Sequence, residues 1–125
     1  MRILKCLKCG NVELEIEHGT CTPMCCGEPM VELKANTQEG VATEKHIPVI
    51  DEDGNEITVK VGEVIHPMLD VHYIGAIIVE TNFNKLIKEL KPGEEPIAKF
   101  ALAKGEKVIA AYSYCNLHGL WKLEK

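Results

Sequence analysis

From Glu44 onward, apolar residues recur in short runs separated by turn-forming residues. IPVI, EITVKVG, VHYIGAIIVET, PIAKFAL and KVIAAYSYC are rich in branched and aromatic side chains and alternate in part with polar ones, which is the period of half-buried strands. DEDGN (51–55) separates the first two runs and reads as a hairpin turn, because glycine takes the positive φ that tight hairpins need. NKLIKELKPGEE (84–95) fits a short helix stopped at Pro92-Gly93 or a strand with its turn, and the strand is the favoured reading. Many short strands at this spacing predict an antiparallel β-sandwich over residues 44–125.

The first 34 residues follow a different pattern. LKCLKCGNVELEIEHG (4–19) reads as a strand, a Cys-Gly turn and a second strand with alternating Val12, Leu14 and Ile16, and GTCTPMCCGEPM (19–30) as a loop punctuated by Gly and Pro. A segment this short cannot bury a self-sufficient apolar core and needs a metal, disulfides or a partner. ANTQEGVAT (35–43) is small and polar, as a linker between two units would be.

Composition changes this picture in three ways. The chain has 125 residues, 46% of them apolar, enough for one ordinary domain and a small appendage. A net charge of -5 with scattered lysines argues against nucleic-acid binding, which depends on clustered Lys and Arg. No run of about 18 apolar residues reads as a membrane span, and MRILKCLKCG does not read as a signal peptide, so the expected location is the cytoplasm. The six cysteines are then metal ligands or reactive thiols rather than disulfides.

Two constellations carry chemistry. Cys6-x-x-Cys9 with Cys25-Cys26 offers four thiolates to Zn(II) or iron, although sets that include Cys21 also fit, and a purely structural zinc knob is an alternative. Adjacent Cys25 and Cys26 can serve one ion only if the backbone bends sharply between them. Met24 and Met30 are expected to pack around that site. The second set is His46, His66, His72, Cys115 and His118, all at or just beyond strand ends, where loops of a sandwich converge. Four imidazoles and a thiolate exceed the four ligands of a structural zinc site and leave a six-coordinate metal one open position, which suits iron. Imidazoles around the equator with Cys115 axial is the expected arrangement, and His18 is read as a surface residue.

The motifs EKHIPV (44–49), HPM (66–68), His72 and YCNLHGLWK (114–122), with CLKCG (6–10) and CCGEPM (25–30), resemble superoxide reductase of the two-iron class, the desulfoferrodoxins. The resemblance spans nearly the whole chain. It implies an immunoglobulin-like β-sandwich (44–125) whose catalytic iron is held by His46, His66, His72 and His118 with Cys115 axial. It also implies a desulforedoxin-like domain (1–34) with a rubredoxin-like iron on Cys6, Cys9, Cys25 and Cys26, joined through the linker 35–43. The implied activity is one-electron, inner-sphere reduction of superoxide to hydrogen peroxide in oxidative-stress defence. The implied partners are rubredoxin as electron donor and a second copy in a homodimer. By the same analogy Lys45 attracts the anion and assists protonation, and Glu44 occupies the sixth position on ferric iron. Trp121 either covers the thiolate loop or fills core, and packing is the favoured reading. Two departures stand out. Gly75-Ala76 replaces the acidic residue and tryptophan common in the family, which is expected to open the packing behind the site, and Cys21 lies outside the implied ligand set.

Overall fold

In the computed structural model, which describes residues 1–125, the first 34 residues form five short strands. These are β1 (Arg2–Lys5), β2 (Val12–Glu15), β3 (Met24–Cys25), β4 (Glu28–Pro29) and β5 (Val31–Glu32). β1 lies between β2 and β5 in one antiparallel sheet, and β3 pairs with β4 in a second. The interior is small: Leu4, Cys6 and Met30 bury against one another with Cys25 beside them. The alternation expected along β2 does not build that interior, since Val12 is exposed and Ile16, beyond the strand end, is 97% exposed. Met30 packs as expected, but Met24 is 63% exposed and does not. Arg2 bridges both neighbours of β1, reaching Glu15 at 3.0 Å and Glu32 at 2.9 Å, and His18 joins the same surface network. Half-exposed pairs of this kind stabilise by at most about 1 kcal/mol each. So little apolar burial leaves the cysteine cluster as the main element that can hold the unit together.

The remaining residues, Ala35–Lys125, form a separate unit built from α1 (Thr43–His46) and seven strands. The strands are β6 (Pro48–Asp53), β7 (Glu56–Val61), β8 (Ile74–Thr81), β9 (Lys85–Glu89), β10 (Ile97–Ala101), β11 (Val108–Cys115) and β12 (Gly119–Glu124). They make two antiparallel sheets, ordered β10-β7-β6 and β12-β11-β8-β9, and the fold is the immunoglobulin-like sandwich expected. The ambiguous segment 84–95 is a strand, β9. β7 alternates as its sequence indicates, burying Ile57, Val59 and Val61. These meet Ala98 of the same sheet and Ile74, Ile77, Val79, Ala111 and Cys115 of the other in one core. Each fully buried Val or Ile stabilises by roughly 1.5–3 kcal/mol. Asn36, inside the stretch read as a linker, is bonded to β12: its amide exchanges hydrogen bonds with the backbone of Lys122 at 2.8 and 3.0 Å.

Two glycines set where the site-bearing loops begin. Tyr114 pairs with Ala76 but Cys115 pairs with Ile74, so Gly75 is the extra residue of a bulge. The shift of one residue keeps Ile77, Ile74 and Cys115 facing the core. An added Cβ at Gly75 would stand 3.5 Å from the Tyr114 ring and 3.7 Å from the Tyr73 ring. The space expected to open behind the site is therefore bounded by two tyrosines. Gly62, just after β7, lies against the backbone of α1: a Cβ there would come within 2.5 Å of the Glu44 carbonyl oxygen and 3.0 Å of that of Ile47. No side chain can occupy that space unless α1 moves.

Gly62→Ala should therefore destabilise the second unit by about 1–3 kcal/mol and displace the helix that carries His46. Urea unfolding checks the first effect, and a midpoint equal to that of the wild type would contradict the close approach.

Candidate metal centres

His46, His66, His72, Cys115 and His118 come together at one end of the sandwich, their ligand atoms all within 4.8 Å of one another. Three segments deliver them: α1, the β7–β8 connection and the β11–β12 hairpin. His46 ends α1, whose backbone is fixed from below by Ser113 Oγ donating to the His46 carbonyl at 2.7 Å. His66 follows β7 and is anchored by its own N–H to the Val61 carbonyl at 3.0 Å. His72 immediately precedes Tyr73 and β8. Cys115 ends β11, and His118 sits in the three-residue loop before Gly119, whose φ of +77° closes the hairpin to β12.

The rings form a closed circuit. Neighbouring centroids His46–His66 and His66–His72 are 4.6 Å apart, His72–His118 and His118–His46 5.0 Å, with interplanar angles of 77° to 86°. His46 and His72 face each other across it at 6.3 Å. His46 Nδ1 donates to the Ala42 carbonyl and His66 Nδ1 to the Pro67 carbonyl, both at 2.7 Å. A carbonyl only accepts, so these bonds fix the tautomer and leave each neutral ring with a bare Nε2. Those two nitrogens point at one another at 3.1 Å. His46 Nε2 is also 3.1 Å from His118 Nδ1, and Cys115 Sγ lies 3.8 Å from that same atom. His72 Nε2 is buried with no hydrogen-bond partner. Converging lone pairs and an orphaned buried nitrogen are costly unless a cation lies among them. The donor set therefore fits a metal ion.

Electrostatics keep the rings ready for it. Burial, aided by the other imidazoles, lowers His66 to about 4 against the pull of the Pro67 carbonyl. Burial likewise lowers His46, and His72 is lowered by burial, His118 and the nearby Lys45 ammonium. All three are neutral at pH 7, the form that binds metal. His46 and His66 are 2% and 1% exposed and Cys115 is fully buried, whereas His72 and His118 are half-buried. Glu44 and Lys45 are exposed on α1, directly before His46. Trp121 does pack, as expected, and it does more: its Nε1 donates to the His118 carbonyl at 3.0 Å and its ring lies 5.0 Å from that of His46. Ser113 and the Ala42 and Pro67 carbonyls escaped sequence reading. Ser113 is polar at an inward position of β11, which is a detectable signal, but carbonyls are present at every residue and give none.

In the first unit Cys6, Cys9, Cys25 and Cys26 form an equally close cluster, and Cys21 stands exposed outside it. The bend that an adjacent pair requires is present: Cys26 has φ +53° and Gly27 +76°. A left-handed residue other than glycine costs about 1–2 kcal/mol. Cys9 N–H donates to Cys6 Sγ at 3.5 Å, which with the other hydrogen bonds to that sulfur lowers Cys6 to about 6. Cys25, bonded to Cys6 and Cys9, is pushed up to about 12. Without a cation the cluster can therefore hold only part of its negative charge. Four thiolates this close fit Zn(II) or iron.

The desulfoferrodoxin family model matches residues 29–124. A desulfoferrodoxin of Nitratidesulfovibrio vulgaris is 45% identical over 98% of this chain and 94% of its own length. The crystal structure of the superoxide reductase from Treponema pallidum superposes with a TM-score of 0.82 at 31% identity, covering 98% of this chain and 96% of that one. A one-iron superoxide reductase from Giardia intestinalis covers 66% of this chain and 99% of its own at 34% identity, with a TM-score of 0.55. Sequence, fold and the paired donor clusters agree, and this chain belongs to the desulfoferrodoxin family.

Proposed function

We propose that this chain is a two-iron superoxide reductase, which reduces superoxide by one electron to hydrogen peroxide. The observation that carries this reading is the second donor set: four imidazoles and one thiolate converge on a single buried point, more donors than a structural zinc site uses and one fewer than a six-coordinate iron accepts. His46, His66 and His72 through Nε2, His118 through Nδ1 and Cys115 through Sγ would hold the catalytic iron. When bound, ferrous iron supplies the single electron and an open coordination position, and a thiolate donor favours giving that electron up.

The chain's own residues do the rest. The Lys45 ammonium gathers the anion at the mouth, which matters because the whole molecule is acidic and offers no long-range attraction. Lys45 also orders the approach of one of the two protons that peroxide formation consumes. Glu44, on the same helix two residues before His46, would offer a carboxylate to the position that the five donors leave open. The Ala42 and Pro67 carbonyls hold the rings of His46 and His66 by their far nitrogens, which fixes ring angle and raises donor strength.

The first unit, a desulforedoxin-like domain, holds a second iron on Cys6, Cys9, Cys25 and Cys26. Residues 44–125 form the catalytic domain, and 35–43 connect the two. Rubredoxin would be the external one-electron donor that the reaction requires. On the family resemblance, the enzyme works as a homodimer in oxidative-stress defence; six cysteines with no disulfide among them suit the reducing cytoplasm. No helix is long and apolar enough to cross a membrane.

The reaction is tested by product ratio. Under a superoxide flux with an electron donor present, the purified protein should form peroxide without evolving oxygen, and oxygen release without a donor would contradict the proposal. Cys115→Ser should strip the second iron or abolish turnover while the sandwich stays folded; a variant with full activity would exclude the thiolate's role. Cys9→Ser should empty the first centre and spare most of the superoxide chemistry, as iron counting and stopped-flow assay would show. Acid should release the second iron. His46, His66 and His72 have folded pKa values below the ordinary 6.5, to about 4 for His66. Their contribution is complete above pH 6.5 and is lost as pH falls from there toward 4. Protons and metal compete for the same nitrogens, so the affinity for iron should weaken as pH falls below 6.5. An affinity that stays constant between pH 6.5 and 4 would contradict it.

A further inference from the structure

We infer that Asn116 is the residue that positions His72 for the second centre; this rests on the reading of His72 as a ligand. The four imidazoles are not held alike. His46 and His66 are almost fully buried, and each ring is oriented by a backbone carbonyl on its Nδ1. His72 is half-buried, no carbonyl orients its ring, and its Nε2 has no partner in the protein. The loop that carries it is anchored at Met68, which packs on the core and whose Sδ accepts from the Ile74 N–H at 3.3 Å, but beyond that point Leu69 is 60% and Val71 74% exposed. Within the loop, the backbone of Leu69 pairs with that of His72 at 2.9 and 3.1 Å. That pair closes the turn but does not tie it to the rest of the site.

Asn116 makes that tie. Its Oδ1 accepts from the Tyr73 N–H at 2.8 Å, and its Nδ2 donates to the Val71 carbonyl at 3.1 Å. Its own backbone N–H donates to the Tyr73 carbonyl at 3.1 Å. The side chain thus grips the peptides on both sides of His72, and it does so from the residue that follows Cys115. The amide orientation is not arbitrary, because an N–H can only donate and a carbonyl only accept. Asparagine alone suits this place: aspartate has no donor for Val71, and alanine has neither group. The consequence is that the Cys115–His118 loop and the His72 loop form one unit, joined by the Asn116 backbone N–H and by its side chain, and the side chain is what fixes the two peptides flanking His72.

Asn116→Ala should accelerate anaerobic loss of the second iron to a ferrous chelator by roughly 10–100-fold, the usual effect of losing a group that orients a metal ligand. The specific readout is the proton NMR spectrum of the reduced, fully iron-loaded chain, in which each ligating imidazole gives its own hyperfine-shifted ring signals. In Asn116→Ala the His72 signals should move or disappear while those of His46 and His66 keep their positions. Iron loss at the wild-type rate, or a change shared equally by His46, His66 and His72, would overturn the inference. Asn116→Asp keeps the bond from Tyr73 and loses the one to Val71, so it should fall between wild type and Ala. It also serves as the test should the Ala variant fail to fold, and a wild-type release rate for it would overturn the two-bonded grip. If the wild-type spectrum contains no hyperfine-shifted His72 signals, the ligand reading itself fails, and the inference with it.

Discussion

Two unprotonated imidazole nitrogens held 3.1 Å apart in a buried pocket form an arrangement that needs a positive charge. The second unit is organised around that need. Protons meet it poorly, because burial and the neighbouring imidazoles disfavour the imidazolium by more than the carbonyls on the far nitrogens favour it. The sandwich core supplies the rigidity: Val61, Ile74 and Cys115 belong to the same buried cluster, and each is at or near the point where a site loop leaves its strand. The bulge at Gly75 and the close approach of Gly62 to α1 adjust those departures by a residue or less. A site built from three separate segments acquires a fixed shape in this way.

The first unit meets the same problem with less structure. Four buried residues, Ile3, Leu4, Cys6 and Met30, and a few partly exposed ion pairs do not outweigh the ordering of 34 residues. Its four sulfurs lie close enough to share protons, and Cys26 is held in a left-handed conformation that favours unfolding. A metal would relieve both, so folding and metal binding in this unit are one process. In the second unit they are separable, since its core forms from apolar side chains.

Much of this is legible in the sequence, for identifiable reasons. Alternation exposes strands such as β7, where Ile57, Val59 and Val61 point one way, and the ligands are visible by residue type. Their convergence is not written in spacing: His46 and His118 are 72 residues apart, and only Cys115-x-x-His118 is a local signal. The first unit misleads because alternation in Val12, Leu14 and Ile16 suggests an apolar face, whereas thiols and not that face form its centre. α1 is four residues long, too short to leave a helical period, and it lies at the edge of a stretch that reads as linker. The partners that orient His46 and His66 are carbonyls, which composition cannot reveal. Asn116 is different in kind. It stands in plain view between two ligands, but its role depends on a loop more than forty residues away.

The most direct test of the account is anomalous diffraction at the iron edge from crystals of the anaerobically loaded protein. Two iron peaks per chain are expected, one of them bonded to His46, His66 and His72 Nε2, His118 Nδ1 and Cys115 Sγ, with one coordination position free of protein donors. A second-unit peak lacking the Cys115 sulfur, or bound by only part of the imidazole circuit, would contradict it.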